Sequence, residues 1–225
     1  MIPLRDNIPS RKFPFINYFI IGTNGIVFFY QIQIYTKGTF EAFIYKFGVV
    51  PNLLTKNFID HSYTLITSQF LHGGWVHIIW NLVYLYIFGD NVEDRIGHVK
   101  YLFFYLACGC GAALTQFYFN PVSEIPMIGA SGAIAGVLGA YFLLYPKSKV
   151  IALVPLGLFS RVIEIPSFFF LGFWFIMQTF SGTATLYAAR ALGSDVGGVA
   201  WFAHVGGFIV GASYVLLFLY GRRRR

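Results

Sequence analysis

Four polar side chains stand out because each lies in a long stretch of sequence that contains no charged residue. They are Ser131, His204, His77 and Asn81. A serine hydroxyl can attack a carbonyl carbon when a neighbouring imidazole accepts its proton. The residue types therefore indicate nucleophilic catalysis, with Ser131 as the nucleophile and His204 as the general base. His77 and Asn81 are candidate donors to the oxyanion that such an attack produces.

Six uncharged stretches of at least 22 residues supply the elements that must position these side chains. Each is long enough to cross a bilayer as a helix, which takes about 20 residues. Only 11% of the chain is charged, against about 25% in soluble domains, so a soluble domain is excluded. We predict an all-α polytopic membrane protein, built as a single six-helix domain over residues 1–225. The expected spans are about 15–35, 75–91, 101–119, 131–145, 166–185 and 199–220.

Three of the four polar residues are expected at a similar depth in the bilayer. At about 1.5 Å per residue, Ser131 lies about 24 Å from the charged end of its helix, His204 about 27 Å and His77 about 20 Å. The apolar core is about 30 Å thick, so all three fall in its outer third. Residues that only pack have no reason to agree in depth.

Small residues share a helix face with both members of the Ser131 and His204 pair. The two stripes are Ser131, Ala135 and Gly139 on the fourth helix, and His204, Gly207 and Gly211 on the sixth. Small side chains let helix backbones approach closely, so the stripes predict contact between the two helices. The alternative for either residue alone is structural: Ser131 bonds to its own helix, and His204 is a polar core residue.

His77 and Asn81 lie four residues apart and so share a helix face. With the backbone N–H of Ser131 at a helix N-terminus, they form the expected oxyanion site. The structural alternative for both side chains is hydrogen bonding between helices.

No aspartate or glutamate lies within any of the six uncharged stretches, so we predict a Ser-His dyad rather than a triad. The nearest carboxylates, Glu124 and Asp195, fall in outer loops. Cys108 and Cys110 point to different faces of one helix and are interpreted as small packing residues. Neither a metal nor a cofactor is predicted.

The distribution of positive charge predicts the orientation in the membrane. All but four of the 16 lysines and arginines lie on one side of the six spans, the exceptions being Lys37, Lys46, Lys56 and Arg190. Positive residues favour the cytoplasmic side, so both termini are expected there and the site opens to the extracytoplasmic side. A prokaryotic plasma membrane is the expected location. This placement indicates a lipid bilayer as the partner of the positive charge, and no nucleic acid.

Four motifs in order resemble those of the rhomboid intramembrane serine proteases. Residues 72–81 (HGGWVHIIWN) match H-x4-H-x3-N, residues 129–132 (GASG) match G-x-S-G, and residues 203–211 (AHVGGFIVG) match A-H-x2-G-x3-G. Residues 89–97 (GDNVEDRIG) resemble the segment that closes the second helix in the family. The resemblance covers nearly the whole chain, with a core at about 60–220.

The resemblance implies a six-helix bundle with Ser131 as nucleophile and His204 as general base. His77, Asn81 and the Ser131 amide would form the oxyanion site. Substrates of such enzymes are transmembrane proteins, cleaved near the extracytoplasmic end of a span. Access would be governed by the fifth helix, at about 166–181, and by a cap at about 191–198.

Two positions depart from the family pattern. Ala135 stands where some members have a tyrosine that stacks on the histidine, so support for His204 has to come from elsewhere. Residues 63–64 are Tyr-Thr where many members have Trp-Arg. His72 is interpreted as a brace of the outer loop, and Glu93 as a structural residue at the cytoplasmic turn.

Two other functions stay open from the sequence. The first is an inactive relative that binds transmembrane clients without cutting them. The second uses His77 and His204 as haem ligands or as a proton path.

Overall fold

The computed structural model describes residues 1–156, 159–192 and 199–223, most of which are helical. In chain order the helices are α1 (Phe15–Thr36), α2 (Phe40–Phe47), α3 (Pro51–Lys56), α4 (Phe58–His61), α5 (Thr64–Thr67), α6 (Trp75–Ile96), α7 (His98–Phe119), α8 (Ser131–Leu144), α9 (Ser167–Leu192) and α10 (Trp201–Arg223). The strands are β1 (Ile2–Asp6), β2 (Lys149–Leu156) and β3 (Phe159–Pro166).

Four helices in the described part of the chain are long and apolar enough to cross a membrane: α1, α7, α9 and α10. α8 is apolar throughout but has only 14 residues. α6 has 22 residues and carries four charges in its last two turns, at Asp90, Glu93, Asp94 and Arg95. The protein is therefore an integral, polytopic membrane protein.

A three-stranded sheet corrects the expectation that the chain is all helical. β1 and β3 pair antiparallel with the two edges of β2, with Ile2 opposite Leu153 and Lys149 opposite Pro166. β2 (KVIALVPL) is rich in β-branched residues, which favour strands. The sequence interpretation treated this region only as a charged connection between spans, and the strand that completes the sheet comes from the distant N-terminus.

α8 lies at the centre of the helical body, and its residues 132–141 are all buried. It packs against α6, α7, α9 and α10. The surrounding core is dominated by large side chains that are fully buried, among them Leu85, Phe88, Tyr101, Tyr105 and Tyr141. α8 is thus held from all sides, which fixes the position of Ser131 at its first residue.

The contact between α8 and α10 is as close as the small stripes predicted. A Cβ atom added to Gly139 would lie 2.1 Å from the carbonyl oxygen of Phe208, and one added to Gly211 would lie 1.9 Å from that of Gly136. No side chain larger than hydrogen fits at either position. Gly136 takes part in addition to the stripe residues, and it also packs against Cys108.

The outer segment between α1 and α6 contains the short helices α2 to α5. α2 ends before Gly48, and Pro51 begins α3. The Tyr63 hydroxyl donates to the carbonyl of Lys46 at 2.7 Å, and the Thr67 hydroxyl donates to that of Phe47 at 2.7 Å. These bonds anchor the outer loop at and near residues 63–64, where this chain has Tyr-Thr in place of Trp-Arg.

Candidate active site

Ser131 and His204 meet where the first turns of α8 and α10 lie side by side. The distance from Ser131 Oγ to His204 Nε2 is 2.8 Å, a hydrogen-bond distance. Gly129, with a φ of +127°, provides the turn into α8, a conformation that favours glycine. The pair therefore has the geometry in which an imidazole can accept a serine proton.

The second ring nitrogen of His204 contacts a residue that the sequence interpretation missed. His204 Nδ1 lies 2.6 Å from Oε1 of Gln178 on α9, and both residues are buried. An amide oxygen accepts the Nδ1–H, which leaves the Nε2 lone pair facing the Ser131 hydroxyl. The prediction of a dyad takes only carboxylates as candidate partners of His204, and so it does not include the amide of Gln178.

Two tryptophan rings pack against the His204 imidazole. The centroid of Trp174 on α9 lies 5.9 Å from that of His204 at an interplanar angle of 34°, and the centroid of Trp201 lies 6.2 Å away, edge-on. Ring contact with the histidine thus comes from α9 and α10. Ala135, where the sequence resemblance led us to look for a stacking tyrosine, offers no ring.

His77 borders the same space from α6. The backbone N–H of Gly73 points to His77 Nδ1 at 3.4 Å, which favours the form that carries its proton on Nε2. A Cβ atom added to Gly129 would lie 2.7 Å from His77 Nε2 and 3.6 Å from Ser131 Oγ. The imidazole donor and the serine oxygen therefore face one small volume beside the Gly129 backbone.

Asn81, one turn along α6, presents a donor without a partner. Its side chain is 6% exposed, and its Nδ2 has no hydrogen-bond acceptor among the described residues. A buried donor left unpaired costs about 1–3 kcal/mol, so such groups are rare unless they serve an incoming acceptor.

All four predicted site residues line one cavity of about 1090 Å³. Its lining comes from α6, α7, α8, α9 and α10 and from the non-helical chain that precedes α8. Much of the wall is aromatic or aliphatic, including Trp80, Tyr84, Ile134, Leu138, Trp174 and Leu186. The cavity thus combines the polar groups of the four site residues with a largely apolar lining.

Other titratable residues from the sequence lie outside this arrangement. His72 is fully buried, and the side chain of Gln31 bonds to both of its backbone groups, at 3.1 and 3.0 Å, as expected for a brace. Glu124 accepts a hydrogen bond from Asn52. Cys108 and Cys110 are free cysteines. Asp195 and residues 193–198 of the expected cap lie outside the described residues.

The helical membrane fold and the hydrogen-bonded pair of the half-buried Ser131 and the buried His204 at a cavity define a class: helical membrane proteins with the geometry of a serine hydrolase. The family model of the Rhomboid domain matches residues 60–221. The chain belongs to the rhomboid family.

Several curated relatives carry the same family name. The chain is 30% identical over 175 residues to "Rhomboid protease GluP" of Bacillus subtilis, covering 75% of this chain and 33% of that protein. It is 31% identical over 161 residues to "Rhomboid-like protein 11, chloroplastic" of Arabidopsis thaliana, covering 69% of this chain and 52% of the relative. It is also 27% identical over 146 residues to "Rhomboid protease GlpG" of Haemophilus influenzae, covering 65% and 64%. The chain thus spans a third to two thirds of the length of these relatives.

Proposed function

We propose that this protein is an intramembrane serine endopeptidase that cleaves transmembrane protein substrates through a dyad of Ser131 and His204. The observation that carries the proposal is the 2.8 Å contact between Ser131 Oγ and His204 Nε2 at a cavity that also holds the unpaired donor of Asn81. Relatives named as rhomboid proteases support the same activity.

In the proposed mechanism His204 Nε2 takes the hydroxyl proton as Ser131 Oγ attacks the carbonyl carbon of a peptide bond. The negative charge on the carbonyl oxygen is stabilised by three donors: His77 Nε2–H, Asn81 Nδ2–H and the backbone N–H of Ser131. His204 then protonates the leaving amine as the C–N bond breaks. Water, activated by the same imidazole, hydrolyses the acyl group from Ser131.

The short length of α8 supports the access of water to Ser131 within the membrane. Its 14 residues span about 21 Å as a helix, less than the apolar core of about 30 Å. Ser131, at its N-terminus, therefore lies below the membrane surface beneath the non-helical chain that precedes it. Water can enter from that side, while the apolar walls of the cavity accept a substrate segment that leaves the bilayer.

We also propose six spans, formed by α1, α6, α7, α8, α9 and α10 within a single domain. The asymmetry of lysine and arginine supports cytoplasmic termini and a site that opens to the extracytoplasmic side. A prokaryotic plasma membrane remains our expected location. The relatives include proteins named chloroplastic and mitochondrial, so the comparisons do not single out that membrane.

The test is cleavage of a panel of tagged single-span proteins by purified protein in liposomes. We compare the wild type with Ser131→Ala and His204→Ala at equal amounts of folded protein. Matched controls are Ser62→Ala and His61→Ala, which remove a serine and a histidine outside the cavity. We expect cleavage by the wild type and both controls, and loss of cleavage in both dyad variants.

Two outcomes would contradict the proposal. Cleavage that survives Ser131→Ala would place the nucleophile elsewhere. No cleavage by any form, together with no labelling of Ser131 by a fluorophosphonate, would favour a rhomboid-like protein that binds transmembrane clients without cutting them.

A further inference from the structure

Gln178 on α9 makes the only side-chain contact of hydrogen-bond length to His204 Nδ1 in the described part of the chain. We propose that Gln178 is a positioning residue for the general base, an inference that rests on the proposed peptidase function. It would hold His204 in the orientation and the protonation form that the attack by Ser131 requires.

The argument begins with the two nitrogens of a neutral imidazole, of which one donates and the other accepts. Ser131 Oγ lies 2.8 Å from Nε2, and it can pass its proton there only if Nε2 carries a lone pair. The proton must then be on Nδ1, where the Gln178 Oε1 atom lies 2.6 Å away. The amide oxygen stabilises this form over the one that carries its proton on Nε2.

The position of Gln178 in the fold supports a role in orientation. Gln178 and Trp174 lie four residues apart on α9 and so share a face. One contacts the Nδ1 atom of His204, and the other contacts its ring. α9 therefore fixes the imidazole both by a hydrogen bond and by packing, while α10 carries it.

A neutral amide differs from the aspartate of a serine protease triad in one chemical respect. It can fix the imidazole, but it adds no negative charge to stabilise the imidazolium that forms when the proton moves. His77 is the other titratable group that faces His204 within the described residues, and no described carboxylate bonds to the ring. A glutamate at position 178 would supply the missing charge.

The test uses Gln178→Leu, which removes the acceptor at similar size, and Gln178→Glu, which keeps an acceptor and adds a charge. The control is Thr179→Val, which removes a side-chain hydrogen bond from the next residue of α9 without touching His204. We measure kcat, KM and the pH dependence of kcat/KM for a single-span substrate in liposomes. Thermal unfolding of each variant checks that it is folded.

We expect Gln178→Leu to lower kcat by about 100-fold, the lower end of what general base catalysis contributes, with little change in KM. Gln178→Glu should retain kcat within about tenfold. Its acid limb should move to higher pH, because a carboxylate beside the ring favours the protonated imidazole. Thr179→Val should match the wild type.

Two results would overturn this inference. One is a kcat for Gln178→Leu within about twofold of the wild-type value. The contact between Gln178 and His204 would then contribute only to packing. The other, informative even if Gln178→Leu fails to fold, is a Gln178→Glu profile that coincides with that of the wild type. With either result, cleavage by the wild type and its loss in Ser131→Ala would still support the proposed peptidase function. A failure of the wild type to cleave would instead reject the peptidase itself.

Discussion

Gly207 of α10 lies against the backbone of Gly132 on α8, so that an added Cβ atom on Gly207 would lie 2.0 Å from the Gly132 carbonyl oxygen. Gly132 follows Ser131 directly, and Gly207 lies one helical turn beyond His204. The approach of the two backbones therefore sets the distance between the serine oxygen and the imidazole. Glycine in these helices is a requirement of the site as well as of packing.

Enlarging the next contact along this seam should destabilise the protein. In Gly211→Ala the new methyl group would lie 1.9 Å from the carbonyl oxygen of Gly136, so the helices must separate. Overpacking of this kind costs about 1–3 kcal/mol, and we expect a lower thermal unfolding midpoint in detergent. The control is Gly22→Ala on α1, where no atom lies within 4 Å of the new methyl group. Equal midpoints for the two variants would contradict the packing described for α8 and α10.

Asn81→Leu should separate activity from stability. It removes a buried donor that has no partner among the described residues, so we expect stability to be unchanged or increased. It also removes one proposed oxyanion donor, and kcat should fall by about 10²–10³-fold with little change in KM.

The control for Asn81→Leu is Asn17→Leu, because Asn17 is also buried but makes hydrogen bonds through both of its side-chain polar atoms. Its Nδ2 donates to the carbonyl of Leu85 at 3.0 Å, and its Oδ1 accepts from the Tyr101 hydroxyl at 2.9 Å. Asn17→Leu should lower the unfolding midpoint. A loss of stability in Asn81→Leu as large as that in Asn17→Leu would show that Asn81 is a structural residue.

The proximity of Ser131 and His204 could be predicted from sequence because several local patterns agree on it. Both residues interrupt uncharged stretches at similar depth, and both begin a stripe of small residues that allows close helix packing. Helical periodicity places each residue on one face of its own helix. The stripe of small residues on that face then indicates which other helix packs against it. These two pieces of information are enough to bring one pair together.

Gln178 lacked such a pattern. It lies 26 residues from His204, and its contact depends on how α9 is rotated against α10, which no stripe of small residues on α9 reveals. An amide within a span also has a common structural explanation in hydrogen bonding between helices. Its contact with His204 therefore follows only from the way in which α9 packs against α10.

The small sheet was missed for a different reason. β1 is five residues long and lies more than 140 residues before β2 in the chain, so no local signal connects them. Short strands whose partners are distant in sequence are specified by the pairing itself.

Glu93 should contribute to stability without affecting catalysis. Its buried carboxylate accepts the backbone N–H groups of Ile16 and Asn17 at 2.9 and 2.7 Å, which caps the first turn of α1, and it also bonds to His98. Glu93→Ala leaves two amides unpaired, and we expect the free energy of unfolding to fall by about 3 kcal/mol. The control is Asp94→Ala, whose carboxylate makes one long, exposed contact to the Arg11 amide. A fall in kcat per folded molecule of Glu93→Ala would contradict a purely structural role.

Asp6 should make the stability of the protein depend on pH. Burial raises the pKa of this carboxyl above its ordinary value of 3.8, although Tyr141 and Asn91 donate hydrogen bonds to it at 2.6 and 2.8 Å. The folded state therefore keeps the proton at pH values where the unfolded chain has released it. It follows that the Asp6 contribution to the free energy of unfolding is greatest below pH 3.8 and falls as the pH rises through the raised pKa.

Asp6→Asn provides the measurement, because it keeps an acceptor oxygen for both donors and cannot ionise. We compare its unfolding midpoint in detergent with that of the wild type between about pH 4 and 8. We expect the difference to favour Asp6→Asn increasingly as the pH rises and then to level off, since every other titrating group is common to both proteins. Asp60→Asn, which removes an exposed carboxyl on α4, should stay close to the wild type. A midpoint difference that is constant with pH would mean that Asp6 ionises in the folded protein as it does in the unfolded chain.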